Sequence, residues 1–160
     1  MNYRIINIVS DGMVEPYLTQ LIGLGAAFYN ETTLKDKGLD ANAFSLLETI
    51  KLLINNDFGI LILAIGDNNE VVGTIAGTIS PWLLCREQSV CQEAWWYVAK
   101  DHRGSGVEHW LLEQFESTAK AAGAQFCIMG THDNPRERVL LRYYARNGYT
   151  SLEHLLIKKV

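Results

Sequence analysis

The segment Arg103-Gly104-Ser105-Gly106-Val107 joins a strand-like stretch ending near Val98 to a well-patterned helix. A tight glycine turn opening a helix is one way to build an anion site, because the first helical N–H groups lack internal partners and point outward. Glycines also let an oxyanion approach the backbone without a Cβ in the way. Phosphate is the natural ligand class for such a turn, and the residues exclude two phosphate motifs. A P-loop needs G-x-x-x-x-G-K-[ST], and no Gly-Lys-Ser/Thr occurs in the chain. The dinucleotide fingerprint G-x-G-x-x-G fits Gly104 and Gly106 but meets His109 where its last glycine belongs. That fingerprint also opens a βαβ unit near the start of a domain, not two-thirds of the way along a chain. Taken alone, the turn reads better as a plain strand-to-helix junction capped by Ser105.

The elements that must position it follow from hydrophobic spacing. Tyr3–Val9 is β-branched and reads as a strand. Pro16 suits a first helical position, with Leu18, Leu21, Ile22, Gly25 and Phe28 behind it at helical spacing. A polar connection leads to a second helix starting near Asn42, with Phe44, Leu47, Ile50 and Ile54 on one face. Gly59–Ile65 and the run from Val71 to Ser80 flank the turn Gly66–Glu70 and form a hairpin. Pro81 breaks the pattern before an extended aromatic stretch, Cys91–Ala99. The helix after the glycine turn places Val107, Trp110, Leu111, Gln114, Phe115, Thr118, Ala119 and Ala122 at intervals of three and four, and Gly123 stops it. Ala124–Gly130 reads as a buried strand. Asn134, Pro135 and Glu137 open a last helix that runs to Gly148, and the segment SLEHLLIKKV reads as a closing strand. The two strands around the glycine-turn helix are expected to lie parallel, joined by that helix as a right-handed crossover.

Composition narrows the class. The chain has 160 residues, 48% hydrophobic and 20% charged, with no internal repeat or linker, so one domain spanning residues 1–160 is expected. A net charge of −4 argues against a nucleic-acid partner. No apolar run is long enough for a signal peptide or a membrane span. Cys85, Cys91 and Cys127 form no C-x-x-C clip, which favours reduced thiols, a cytoplasmic location and no bound metal.

The stretch from Val98 to Glu108 resembles the hallmark of the GNAT acyltransferase superfamily, V-x-P-x-x-R-G-x-G-x-G/A, at a strand–turn–helix junction. The segment GDNNEVVG is similar to the second hairpin of that family, and LLRYYARNGY to its late helix, where an aromatic–Tyr pair precedes a Gly-aromatic. The order of elements matches over essentially the whole chain. Departures are Lys100 for the usual proline, Glu108 for the last Gly/Ala, Glu137 where an Asn is common, and room for only one strand after the last helix. A carboxylate in a helix's first turn suits the macrodipole but repels a bound pyrophosphate.

This resemblance implies an α/β fold with a mixed, partly antiparallel sheet flanked by helices on both faces. It also implies direct transfer of an acyl group, most simply acetyl, from acyl-CoA to a small-molecule or peptide amine. The alternative is a non-catalytic acyl-CoA-binding or protein-interaction domain with the same fold. The family pattern assigns the cofactor's pyrophosphate to the backbone of Gly104, Ser105, Gly106 and Val107, with Arg103 contributing through its backbone or its cation. Tyr97 and Val98 are the candidates for the amide facing the thioester carbonyl. By position Tyr144 is the proton donor to the departing thiolate, and Tyr143 is the neighbour expected in the core. Glu93 is the candidate base, with His132 and Asp133 as alternatives. His102, His109 and His154 are expected to face water, and Trp82, Trp95 and Trp96 to gather near the cleft.

Overall fold

The run GILILAI alternates its side chains between two apolar layers, which is why it sits in the interior of the sheet. The computed structural model describes residues 2–132 and 137–160. In it, strand β2 (Gly59–Ile65) sends Leu61, Leu63 and Ile65 into one core and Ile60, Ile62 and Ala64 into the other. Five strands make one sheet in the order β1-β2-β3-β4-β5, with β1 (Arg4–Asn7), β3 (Val71–Trp82), β4 (Cys85–Val98) and β5 (Phe126–Ile128). The first four run antiparallel, while β5 lies parallel to β4 in the register Val90↔Phe126 to Gln92↔Ile128. One face carries α1 (Asp11–Val14), α2 (Leu18–Asn30) and α3 (Ala43–Ile54), whose Val14, Leu21, Ile50 and Leu53 fill the first core. The other face carries α4 (Val107–Ala121), whose Val107, Leu111, Leu112, Phe115 and Ala119 fill the second, with Tyr143 of α5 (Glu137–Arg146) packed against it.

Several expectations need correction. The first helix is not continuous: Pro16 lies in a 3₁₀ turn, Glu15–Tyr17, between α1 and α2. Helix α3 starts beside Asn42 as expected, and the Asn42 side chain caps it, accepting from the Ser45 amide at 2.8 Å. The buried stripe is nevertheless set by Ile50, Leu53 and Ile54, and Phe44 is 71% exposed. Trp110 is likewise exposed, because Leu112 takes its place in the α4 stripe.

Pro81 does not end the strand. Strands β3 and β4 continue into a long hairpin closed by Leu83 and Leu84. Strand β2 pairs only as far as Thr78, so beyond it β3 has a free side on which a residue without N–H is tolerated. The closing strand is absent: residues 147–160 contain neither helix nor strand, and Leu152, Leu155 and Leu156 are exposed. A strand persists only when paired, and the free edge of β5 offers three residues. Asn134 and Pro135 lie outside the described residues.

Candidate active site

A β-bulge and a strand end open the sheet where the glycine turn begins. Gly77 pairs with Glu93 and Ala76 with Trp95, so Ala94 is the extra residue that bends β4. A side chain at Gly77 would meet the Gln92 carbonyl at 2.6 Å and the Phe115 ring at 2.7 Å, so this close approach requires glycine. Pairing with β5 stops at Gln92↔Ile128, one residue before the bulge. From Glu93 to Val98 the outer side of β4 therefore has no partner strand. The Ala99 amide donates to the Val72 carbonyl at 2.9 Å, on the β3 side. Successive amides point to opposite sides of a strand, so Tyr97 turns its N–H to β3 and Val98 turns its N–H into the opening. Of the two candidates, Val98 has the amide that can face a ligand carbonyl. Tyr97 contributes a buried side chain instead.

The turn sits at the head of this opening. Gly104 and Gly106 have φ of 76° and 92°, the left-handed region, and Gly106 is the N-cap of α4. Ser105 does not cap the helix, because its hydroxyl donates to the His102 carbonyl at 2.6 Å. The amides of Ser105, Gly106 and Val107 have no hydrogen-bond partner among the described residues, while the Val107 side chain is fully buried. Gly104 differs: its amide donates to Oε1 of Glu108 at 2.9 Å. The second oxygen of that carboxylate is buried without a partner among the described residues. The turn thus already holds a negative group of its own.

Arg103 has two of its three guanidinium nitrogens engaged by chain groups, and Nη1 is buried without a partner among the described residues. Its Nε donates to the Val98 carbonyl at 2.7 Å, Nη2 donates to Glu31 Oε2 at 2.9 Å, and its guanidinium lies 5.1 Å from the centre of the Tyr97 ring. Glu31, the C-cap of α2, also accepts from the Tyr97 hydroxyl at 2.6 Å and pairs with Lys100 at 3.8 Å. Burial works to raise the Glu31 pKa, but the bonds from Tyr97 and Arg103 and the two nearby cations outweigh it and hold it below the usual range. Burial and the same carboxylate push the Tyr97 phenol up to about 12. Sequence reasoning missed Glu31. Nothing in its local pattern marks a residue 72 positions before Arg103 as its partner.

Glu93 and Tyr144 converge on one residue, Gly130, just past β5. Oε2 of Glu93 accepts from the Gly130 amide at 2.8 Å, and the Tyr144 hydroxyl donates to the Gly130 carbonyl at 3.1 Å. Burial raises the Glu93 carboxyl to about 7 against the opposing Gly130 bond. Burial first, and the Glu93 charge second, push the Tyr144 phenol well above its ordinary value. Tyr144 is 5% exposed, whereas Tyr143 is half-buried with its hydroxyl 3.5 Å from Nδ1 of His109. The expected division is reversed, since the more enclosed of the two is the one at the opening. His132 stands across the opening with its ring 5.2 Å from Phe28 of α2, and burial lowers its pKa. Asp133 lies outside the described residues. His102 is half-buried between the Tyr3 hydroxyl at 3.2 Å and Glu70 at 3.9 Å rather than facing water. Trp95 and Trp96 flank the opening on opposite faces of β4, whereas Trp82 lies at the far end of β3. No cluster of His, Cys, Asp or Glu able to hold a metal occurs among the described residues.

The parallel pair opened beside the bulge, with the glycine turn and the helix N-terminus at its head, falls within a stretch that matches a known family. Residues 26–149 match the model of the acetyltransferase (GNAT) family. The chain belongs to this family. Its fold is shared with solved GNAT structures at low identity. An aminoglycoside acetyltransferase from an uncultured soil metagenomic sample superposes with a TM-score of 0.74 at 20% identity, covering 100% of both chains. The aminoglycoside N-acetyltransferase AAC(6')-Iy, solved in complex with CoA, gives 0.76 at 14% identity, covering 99% of this chain and 95% of its own. A ribosomal-protein-alanine N-acetyltransferase from Brucella melitensis biovar Abortus 2308 gives 0.72 at 15% identity over the full length of both. No curated protein sequence matches the chain. Among the described residues no helix is long and apolar enough to cross a membrane.

Proposed function

We propose that this GNAT chain transfers an acyl group, in the simplest case acetyl, from acyl-CoA directly to an amine in the cytoplasm. The observation that carries the reading is the opening between β4 and β5. It has outward amides at its head (Ser105, Gly106, Val107), an inward amide on its flank (Val98), and an acid and a base on one residue at its floor (Tyr144 and Glu93 at Gly130). A pyrophosphate suits the outward amides, since a helix N-terminus and glycine backbone favour anionic oxygen. The three cysteines are free thiols, which suits a reducing compartment.

The chemistry asks three things of the chain. An amine must lose a proton to attack the thioester carbon, and Glu93, with a pKa near neutrality, is matched to accept it directly or through water. The carbonyl oxygen gains charge as the C–N bond forms, and the Val98 N–H is aimed to meet it. The C–S bond then breaks and the thiolate takes up a proton. Tyr144, whose phenol burial keeps protonated, passes its proton to the sulfur as charge develops there. The proton that Glu93 took from the amine then returns to the Tyr144 oxygen, so amine and thioester become amide and thiol and both side chains regain their starting states. Glutamates, histidines and tyrosines are ordinary partners in such transfer, each worth about 10²- to 10⁴-fold.

The test is a calorimetric titration with acetyl-CoA followed by a thiol-release assay over primary amines. Binding together with amine-dependent CoA release is the expected result. Binding without release to any amine would leave a binder rather than an enzyme.

A further inference from the structure

On the α2/α3 side of β4 lies a cavity of about 360 Å³, walled by Leu24, Phe28 and Leu46 from the helices and by Ala94, Trp95 and Tyr97 from the strand. These three β4 residues belong to the stretch left unpaired where β4 parts from β5, so the cavity borders the opening described above. Its volume is of the size that small-molecule sites use. At roughly 30 Å³ for each water-sized group, it holds a body of about twelve heavy atoms.

Of the polar side chains in its wall, all but that of exposed Asn30 are already engaged with each other or with neighbouring chain. The Trp95 indole donates to the Thr74 hydroxyl at 3.3 Å, and the Tyr97 phenol donates to Glu31 at 2.6 Å. The Tyr29 hydroxyl donates to the Leu39 carbonyl at 2.9 Å, and the Asn42 side chain is occupied by the Ser45 amide. Glu31, next to Asn30 at the end of α2, is held by Arg103 and Lys100, so it offers no uncompensated charge to a second ammonium. A ligand rich in hydroxyls and ammonium groups would leave them without partners here, while an apolar body would lose nothing.

From these walls we infer that the acceptor is a primary amine on a single apolar body of arene or branched-alkyl type, with its body in this cavity and its nitrogen at the opening. Polycationic aminosugars are thereby disfavoured. The inference rests on the acyl-transfer reading and adds the substrate class to it.

The test compares kcat/KM for 2-phenylethylamine, ethylamine and an aminoglycoside, with calorimetric binding of 2-phenylethylamine measured in parallel. Two variants fill the cavity from opposite walls, Ala94→Leu and Leu46→Trp, with thermal melts to confirm that each is folded. We expect 2-phenylethylamine to exceed ethylamine by about 10- to 100-fold, the scale of burying one phenyl ring. Either filled variant should erase that margin, with acetyl-CoA affinity unchanged. Preference for the aminoglycoside, or a margin that survives both variants, would overturn the inference and leave the transferase reading intact. Acetyl-CoA binding with no transfer to any amine would overturn both.

Discussion

Glu108 is the point where this chain departs from its family pattern inside the phosphate turn, and the departure predicts a direction of effect that few active-site substitutions share. Its carboxylate occupies the Gly104 amide at 2.9 Å, so a pyrophosphate must displace or tolerate it. A hydrogen bond from backbone to a charged acceptor contributes on the order of 1.5–3 kcal/mol. Two like charges about 4 Å apart repel by about 1 kcal/mol in water and about 4 kcal/mol at an effective dielectric of 20. Gly104 is exposed and Glu108 half-buried, which favours the lower part of both ranges. Glu108→Ala should therefore tighten acetyl-CoA binding by ~1–3 kcal/mol, or about 5- to 150-fold in Kd. Glu108→Gln keeps an acceptor on the Gly104 amide but removes the charge, and should recover only the repulsive part. That part should shrink as ionic strength rises. Without ligand, Glu108→Ala loses the bond to Gly104 and should melt slightly lower, the opposite sign to its effect on binding. Calorimetric titrations at low and high salt, with melts of the free proteins, measure all of this. Equal or weaker acetyl-CoA affinity in Glu108→Ala would refute the reasoning and place the pyrophosphate elsewhere.

Three further outcomes follow from the same geometry. Tyr144→Phe keeps the ring and removes the hydroxyl, so acetyl-CoA affinity should hold while kcat falls about 10²-fold or more; Tyr143→Phe is the control, and an unchanged rate for Tyr144→Phe would remove that residue from the mechanism. Glu93 acts as base only when ionised, and burial raises its pKa to about 7, so kcat/KM should climb with pH through about 7 and then level off; Glu93→Gln should abolish that limb, and a profile unaltered by the substitution would return the role to His132. Gly106 needs a φ of 92°, so Gly106→Val should strain the turn and crowd the phosphate site; acetyl-CoA binding equal to that of the unsubstituted protein would sink the turn as its site.

The parts of the fold legible in the sequence were those written in short-range spacing. The α4 stripe, the start of α3 beside Asn42 and the parallel strands at Cys91 and Cys127 needed only periodicity and turn residues. The hairpin through Pro81 was hidden because the tolerance for proline depends on where a different strand, β2, stops. The closing strand failed for the complementary reason: its residues have β character, but β5 presents too short an edge to pair with. At the site, the glycine turn was readable by type and order. That Val98 rather than Tyr97 turns its amide into the opening was not, because the choice is fixed by ladder phase from Ala99 and Val72.

The most consequential residue outside every motif is Glu31, and its position explains why an arginine belongs in the turn at all. Arg103 spends Nε on the Val98 carbonyl and Nη2 on Glu31, which leaves only Nη1, buried without a partner among the described residues. What it fixes instead is the peptide geometry of Val98, the residue whose amide faces the opening. Glu31 sits at the end of α2, on the side that walls the acceptor cavity, and holds Tyr97 of β4 through the same carboxylate. One carboxylate thus ties α2, beside the cavity proposed for the acceptor, to the strand that carries the Val98 amide and to the glycine turn proposed for the phosphates. An acceptor that shifts α2 would move Val98 through this link, so the two substrates would meet at a site each helps to set.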